Sequence, residues 1–345
     1  MSQQTEAHSV GDVAVVVTHY RNARDLVTCL RSLAANGGQR VREVLVCDSE
    51  ALPEHEPVVL EAHPGARYLG FERNVGFSAL VNAGVEATTA PYVLVLNADI
   101  VVAPGTIDLL AAHLDRADEV GVVLPRLVGA DGEFQHSVFR FYKPMTVAYR
   151  RTPLARLPRG RRELGRFLDR ATLDVAVATG QPVDIDWGLG ASWLVRRTAW
   201  ARTGPMDVEY FLYFEDVDWF LRCWQAGWRV QYLPTACCRH AHGRASASGG
   251  LLGLFTNPLA RVHVRSALRF FRKHGMRPTR PAEGTRRPGT IWLTGDAADR
   301  NVGPAGNPDR NGGPTGAAAG RAPAQGAGAG ATRRGKAATS SSGGR

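Results

Sequence analysis

Three short runs with almost no polar residues constrain the fold most: Val13-Ala14-Val15-Val16-Val17, Glu43-Val44-Leu45-Val46-Cys47 and Tyr92-Val93-Leu94-Val95-Leu96. A strand that is apolar at consecutive positions is buried on both faces, as in a parallel sheet covered by helices. Helical spacing lies between the runs. Leu26, Leu30 and Leu33 follow the first, and Phe77 to Ala87 carries Leu80, Val81 and Val85 on one face. Arg67-Tyr68-Leu69 and Gly121 to Leu124 read as further strands, and Pro104 opens a helix between the last two strands. Strand alternating with helix over the first 125 residues predicts a doubly wound α/β sheet. Such sheets bind ligands outside the carboxyl ends of their strands. Asp48 and Asp99 stand at two such ends.

The remainder is less regular. Residues 135 to 182 are rich in Arg and Pro and read as an irregular, basic surface insertion. Trp187 to Arg196 is a Gly-broken stretch that ends in a strand. Asp216 to Ala226 reads as a helix closed by Gly227, followed by a strand over Arg229 to Leu233. Leu259 to His274 is amphipathic and basic, with Pro258 suited to a helix start. From about Arg277 onward large apolar residues nearly vanish, which predicts a segment too poor in buried surface to offset its ordering entropy.

The formal charge is +10, and residues 280–345 hold ten Lys or Arg against four acids. Nucleic acid, anionic lipid and phosphorylated substrates are all compatible with that excess. Five cysteines without a CxxC pair argue against a disulfide framework and a structural zinc site, and fit a reducing compartment. The first twelve residues have no apolar core of a signal peptide, and no run of about 18 apolar residues exists. The expected location is cytoplasmic, with peripheral contact on the inner face of the membrane.

Four motifs carry chemistry. Asn97-Ala98-Asp99 leaves a buried strand, where a carboxylate can bind a hard cation or simply close an Asx turn. Glu215-Asp216-Val217-Asp218 places three acids at a helix start behind the aromatic stretch Tyr210 to Phe214. The helix dipole accounts for one or two of them, and the aromatic frame points to a pocket wall that raises carboxylate basicity. His240 and His242 form an HxH pair just past a strand, and His240 could share a metal with Asp99. Asn74-Val75-Gly76 precedes a helix whose N-terminus suits a phosphate. GxGxxG after the first strand, GxxxxGK[ST] and GxSxG are all absent, which argues against a dinucleotide dehydrogenase, a P-loop enzyme and an α/β-hydrolase.

In this order, Thr18, Asp48, RNVGFSALVNAG, YVLVLNAD, DWGLGASWLVRR, FLYFEDVDWFLRCWQAGWRV and His240 resemble the inverting family 2 glycosyltransferases of GT-A fold. The bacterial rhamnosyltransferase-type branch is the nearest match, over about residues 12 to 275. The resemblance implies a Rossmann-like, mixed but mostly parallel sheet flanked by helices. It divides the chain into a flexible N-terminus (1–11), a single catalytic domain (12–275) and a disordered tail (276–345). Within the domain it implies a nucleotide-binding half (12–125), the basic insertion (126–182) and an acceptor half with the C-terminal helix (183–275).

At matching positions the resemblance implies that Thr18 and Asp48 hold base and ribose. Arg73, Asn74, Gly76 and Asn82 would line the nucleotide and diphosphate. Asn97 and Asp99 occupy the DxD-like element, with Asp99 and His240 holding Mg²⁺ or Mn²⁺. Trp187, Gly188, Gly190 and Ala191 match the loop at the donor–acceptor boundary, and Asp218 lies on the acceptor side. Glu215 and Asp216 match the catalytic acid pair, with Asp216 as base. Three places depart from the family pattern: Thr18-His19-Tyr20 replaces Thr-Tyr-Asn, Ser49-Glu50 follows Asp48, and Asn-Ala-Asp replaces Asn-Pro-Asp.

The expected reaction is inverting sugar transfer from a dTDP- or UDP-linked donor, with dTDP-rhamnose favoured. The expected acceptor is a polyprenyl-diphosphate glycan or another cell-envelope saccharide, and no nucleic acid. The basic stretches Arg150 to Arg166 and Arg261 to Lys273 would suit a lipid-diphosphate acceptor at an anionic membrane. A sugar nucleotidyltransferase would need a Gly-rich basic loop after the first strand, and His19 to Asp25 lacks the glycines. A basic nucleic-acid-binding protein would leave the acidic cluster at 215–218 without a purpose.

Overall fold

The computed structural model describes residues 12–240 and 258–281. Of the expected tail, residues 276–281 are described, with Arg280 paired to Asp186, and the rest of it lies outside these residues, as does His242. Four long parallel ladders form the backbone of a mixed sheet. Strand β1 (Val13–Tyr20) pairs with β2 (Val41–Ser49) and β4 (Tyr92–Asn97), β2 pairs with β3 (Ala66–Phe71), and β6 (Val120–Val128) pairs with β12 (Arg229–His240). Strand β11 (Ser192–Arg196) runs antiparallel between β4 and β6, and β5 (Ile100–Val102) edges β12. The resulting order is β3-β2-β1-β4-β11-β6-β12-β5.

The consecutive apolar positions now have separate destinations. Val13, Val15 and Val17 pack with Leu26 and Leu30 of α1 (Ala23–Asn36), Val59 of α2 (His55–Ala62) and Leu110 of α4 (Thr106–Arg116). Val16 faces the other way, with Leu80 and Val81 of α3 (Phe77–Glu86) and the buried side of α9 (Glu215–Gln225). Alternation of side chains across the strand requires this split, and it explains why the run tolerates no polar residue.

Residues 135 to 182 are not irregular. They form α5 (Pro144–Arg151), a 3₁₀ turn (Pro153–Arg156), α6 (Pro158–Leu168) and α7 (Arg170–Thr179). Proline opens α5 and α6, where its missing N–H costs nothing. Few apolar residues anchor the helices: Phe167 of α6 and Leu173 and Ala176 of α7 are buried. Their partners, Phe139 of β8 (Val138–Phe139) and Trp187 of β10 (Trp187–Gly188), are distant in sequence, so local spacing among the arginines gave no signal.

The last strand is longer than the expected Arg229 to Leu233. Its pairing with β6 shifts register between Leu233 and Cys237, at Pro234, and resumes to His240. Proline cannot donate to a ladder, so the irregularity sits there. The extension sets His240 opposite Ile100, next to Asp99. The C-terminal helix α10 (Pro258–His274) forms as expected and packs Phe270 on Phe214.

Candidate active site

Strand β4 ends at Asn97, directly opposite Thr18 of β1. Thr18 Oγ1 donates to Asn97 Oδ1 at 3.0 Å, and Ala98 N donates to Thr18 O at 3.0 Å. Asn97 N donates to Ala191 O at 2.9 Å, while the neighbouring Gly190 N donates to Asp216 Oδ2 at 3.3 Å. One turn, Gly190-Ala191, therefore bridges the Asn-Ala-Asp element and the helix that bears Asp216. A Cβ on Gly190 would stand 2.9 Å from the Phe77 ring, so only glycine allows this close approach.

Asp216 is partly buried and accepts a second hydrogen bond from Val217 N at 2.8 Å. Burial pushes its carboxyl up to about 6 against two backbone N–H bonds that pull it down. Glu215 is buried, its Oε2 finds no hydrogen-bond partner among the described residues, and burial followed by repulsion from Asp216 raises its carboxyl well above the ordinary value. The backbone leading to this pair is strained: Tyr213 and Phe214 both have positive φ, 67° and 70°. Phe214 is held there by Tyr142, His263 and Phe270 rings within 5.4 Å. Strain at bulky residues persists only where packing over-determines it, and it clusters at functional sites.

Asp99 and His240 are together. His240 Nε2 stands 3.1 Å from Asp99 Oδ2, and its Nδ1 stands 2.9 Å from Gln135 Oε1. If Nδ1 carries the proton toward the Gln135 carbonyl, Nε2 presents a lone pair toward a carboxylate. Asp99 Oδ1 is buried without a hydrogen-bond partner among the described residues. Two facing acceptors and an orphaned oxygen fit a hard divalent cation, with Gln135 fixing the tautomer. Nothing in the sequence marked Gln135, because β7 (Phe134–Gln135) is two residues long.

Other expected residues hold different posts. Asp48 is fully buried; His19 Nδ1 meets its Oδ1 at 2.7 Å, and His55 Nδ1 and Tyr68 Oη meet its Oδ2 at 2.6 Å each. These hydrogen bonds outweigh its burial and lower its carboxyl, and both of its oxygens accept from His or Tyr donors. His19, Asp48 and His55 place one donor atom each within 4.8 Å of one another. Their 2.6–2.7 Å contacts are hydrogen-bond lengths, whereas ligands about 2 Å from a shared ion stand ~3 Å or more apart. The cluster is a hydrogen-bonded clasp joining β1, β2, β3 and α2.

The Asn82 side chain is engaged by backbone. Its amide donates to Met206 O at 2.9 Å and accepts from Met206 N at 2.8 Å, pinning the segment before the aromatic wall. Asp218 is not an acceptor contact. It is fully buried and meets Arg222 Nε at 2.8 Å, Lys273 Nζ at 2.9 Å and His274 Nε2 at 2.7 Å, so these partners hold its carboxyl well below the usual range despite burial. The physical reason is helical geometry: two residues beyond Asp216, it points about 200° around α9, into α10.

Asn74 Oδ1 accepts from Gly76 N at 3.0 Å, and Ser49 Oγ accepts from Val75 N at 2.9 Å, which shapes the turn before α3. Arg73 is exposed beside it. Gly76 has φ 81° and packs on Phe211 of the aromatic wall. Trp187 stacks on Phe139 and donates to Arg140 O at 3.0 Å, and Gly188 packs on Leu124, so both brace the boundary loop from beneath.

The model of the family described as Glycosyl transferase family 2 matches residues 14–184. These residues form a domain of this family. It is similar to the N-acetylglucosaminyl-diphospho-decaprenol L-rhamnosyltransferase of Mycobacterium tuberculosis, 29% identical over 253 residues, covering 68% of this chain and 78% of that protein. The pre-mycofactocin glycosyltransferase of the same organism is 28% identical over 235 residues, covering 67% and 43%. Among solved structures, GalNAc-T7 with UDP, GalNAc and Mn²⁺ is similar in fold at a TM-score of 0.54 and 12% identity, covering 77% of this chain and 48% of that one. The enzyme is therefore a glycosyltransferase with a GT-A-like sheet. Among the described residues, no helix of this transferase is long and apolar enough to cross a membrane.

Proposed function

We propose that the enzyme transfers rhamnose, with inversion, from dTDP-rhamnose to a lipid-diphosphate-linked saccharide. The observation that carries the mechanism is the Gly190-Ala191 turn, which binds Asp216 with one residue and Asn97 with the next. One turn thus ties the raised carboxyl of Asp216 to the strand end that leads into Asp99. The transferred sugar and the acceptor are taken from the mycobacterial relative, whose name specifies L-rhamnosyl transfer to a decaprenyl-linked sugar, and the dTDP carrier from the sequence resemblance.

In this reading Asp216 takes the proton of the acceptor hydroxyl. The oxygen bonds to the anomeric carbon as the bond from that carbon to the diphosphate oxygen breaks. General-base assistance of this kind contributes about 10²–10⁴-fold. Burial raises the carboxyl of the neighbouring Glu215 well above its ordinary value, which disfavours a second negative charge beside the base. Thr18 and Asn97 shape the donor edge, Arg73 and the Asn74–Gly76 turn face the diphosphate, and Trp187 and Gly188 support the acceptor loop. Asp99 and His240 would hold Mg²⁺ or Mn²⁺, which when bound neutralises charge on the diphosphate.

The test is a panel of dTDP- and UDP-sugars incubated with a short-chain polyprenyl-diphosphate N-acetylglucosamine and the full chain. Turnover of dTDP-rhamnose, with the opposite anomeric configuration in the product by NMR, is the expected result. A retained configuration refutes the mechanism, and exclusive use of a UDP-sugar refutes the donor assignment.

A further inference from the structure

Helix α10 contains four arginines, one lysine and no acid. Its two sides differ sharply. Ala260, His263, Ser266, Ala267, Phe270 and Phe271 are buried against the domain. Arg261, Arg265, Leu268 and Arg272 recur at i, i+4, i+7 and i+11, so they form one outward stripe, and all four are exposed. Leu268 is 67% exposed in its middle and Met276 61% exposed just past its end. Arg261, Arg265, Leu268 and Arg272, with Val264 and Arg269, line one surface groove. Arg269 pairs with Glu209, and Lys273 with Asp207 and Asp218. No carboxylate of the described residues pairs with Arg261, Arg265 or Arg272.

A merely solvated helix face has no use for a large apolar side chain encircled by unpaired cations. An anionic lipid surface matches both parts: cations meet phosphate headgroups, and Leu268 and Met276 enter the acyl boundary. The same composition recurs nearby. The helix α10 packs on α5, and α5 packs on the 3₁₀ turn and α6, where Leu154 and Leu157 are exposed among Arg156, Arg159, Arg161 and Arg162. The inner side of α10 reaches the catalytic elements directly: Ser266 Oγ donates to Leu212 O at 2.9 Å, and His263 and Phe270 pack on Phe214, the residue before Glu215.

We infer that the outer face of α10 docks the enzyme on an anionic bilayer and thereby presents the aromatic wall to acceptors held in that bilayer. The presentation clause rests on the lipid-linked acceptor proposed above; the docking itself does not.

Full-length protein is mixed with phosphatidylcholine vesicles containing or lacking one-third phosphatidylglycerol, and binding is read by co-sedimentation without donor or acceptor. Binding only to anionic vesicles, weakened by salt, is expected. Each cation near such a surface contributes roughly five-fold, so Arg261→Gln/Arg265→Gln/Arg272→Gln should weaken partitioning by about 10²-fold. Leu268→Ser should weaken it while leaving salt dependence unchanged. Unchanged melting temperatures and donor hydrolysis in solution establish that the variants are folded. The control Arg333→Gln/Arg334→Gln/Lys336→Gln should bind like the parent. Wild-type binding to neutral vesicles, no binding at all, full binding by the triple variant, loss only in the 333–336 control, or a dimer that shields Leu268 would each overturn the inference. Failure of rhamnose transfer with vesicle binding intact would count against the proposed donor and acceptor and not against docking.

Discussion

Replacing Asp216 by Asn separates catalysis from folding, because the structure predicts opposite signs for the two. The carboxyl titrates near 6 in the fold against an ordinary value near 3.8, a rise of about two units caused first by burial. A raised folded pKa means that stability is complete below the unfolded value and is lost as pH rises through 6. Ionised Asp216 therefore costs the fold at most about 3 kcal/mol at pH 7.5. Asn keeps the shape and removes that cost, so Tm at pH 7.5 should rise or stay level. Turnover should fall by at least about 10²-fold, with nucleotide-sugar affinity by calorimetry little changed. The wild-type profile supplies an independent check. A base titrating near 6 is about one-tenth ionised at pH 5, whereas one at 3.8 is about nine-tenths ionised. The ratio kcat/KM at pH 7.5 over pH 5 should thus approach tenfold in wild type. A flat profile down to pH 5, or an Asn variant with wild-type turnover, would show that another group takes the proton.

Asp218→Asn should do the reverse: about 3 kcal/mol of destabilisation by chemical denaturation, since Arg222, Lys273 and His274 lose a fully buried counter-charge. Because that carboxyl is depressed, its stabilisation is present above the ordinary Asp value and lost as pH falls below it, so a variant as stable as wild type at pH 7 contradicts this assignment. Asp99→Ala should weaken Mn²⁺ binding, read by EPR without substrate, by more than His240→Ala does, and EDTA should abolish transfer; unchanged Mn²⁺ affinity in both variants removes these residues from the metal site. Gln135→Leu should weaken Mn²⁺ binding by about 10-fold through loss of the His240 tautomer, and wild-type affinity would refute that role. Gly190→Ala should lower turnover by about 10-fold or more, because its Cβ meets Phe77 and shifts the N–H that holds Asp216; wild-type rates would mean that this turn does not set the base.

The positions of the candidate residues in the fold were legible in the sequence, and the reasons differ by residue. Asp99 and Asp216 declared themselves because each ends or opens an element whose burial pattern is local. Asp48 was located correctly at the end of β2, but its hydrogen-bonding role there was not foreseen. That role depends on His19, 29 residues earlier, on His55 seven residues later and on Tyr68 of the neighbouring strand. The unusual His19, in place of the family's Tyr, was the one visible hint. Asn82 reads like a phosphate ligand in its Gly-rich setting, and its actual partner, Met206, lies 124 residues away.

The apolar runs by themselves determined the two-sided parallel sheet, the strand ends where chemistry can occur, and the helix of acids behind aromatic residues. These are consequences of side-chain period and of what one segment must bury. Only the tertiary structure decided which carboxylates are free. Asp48, Asp216 and Asp218 are the same residue type near the same sheet, yet His and Tyr donors seal the first, backbone N–H groups alone meet the second, and an arginine, a lysine and a histidine close on the third. An ionisable group's pKa and availability depend on burial and on partners brought from distant segments, and no local pattern encodes those partners.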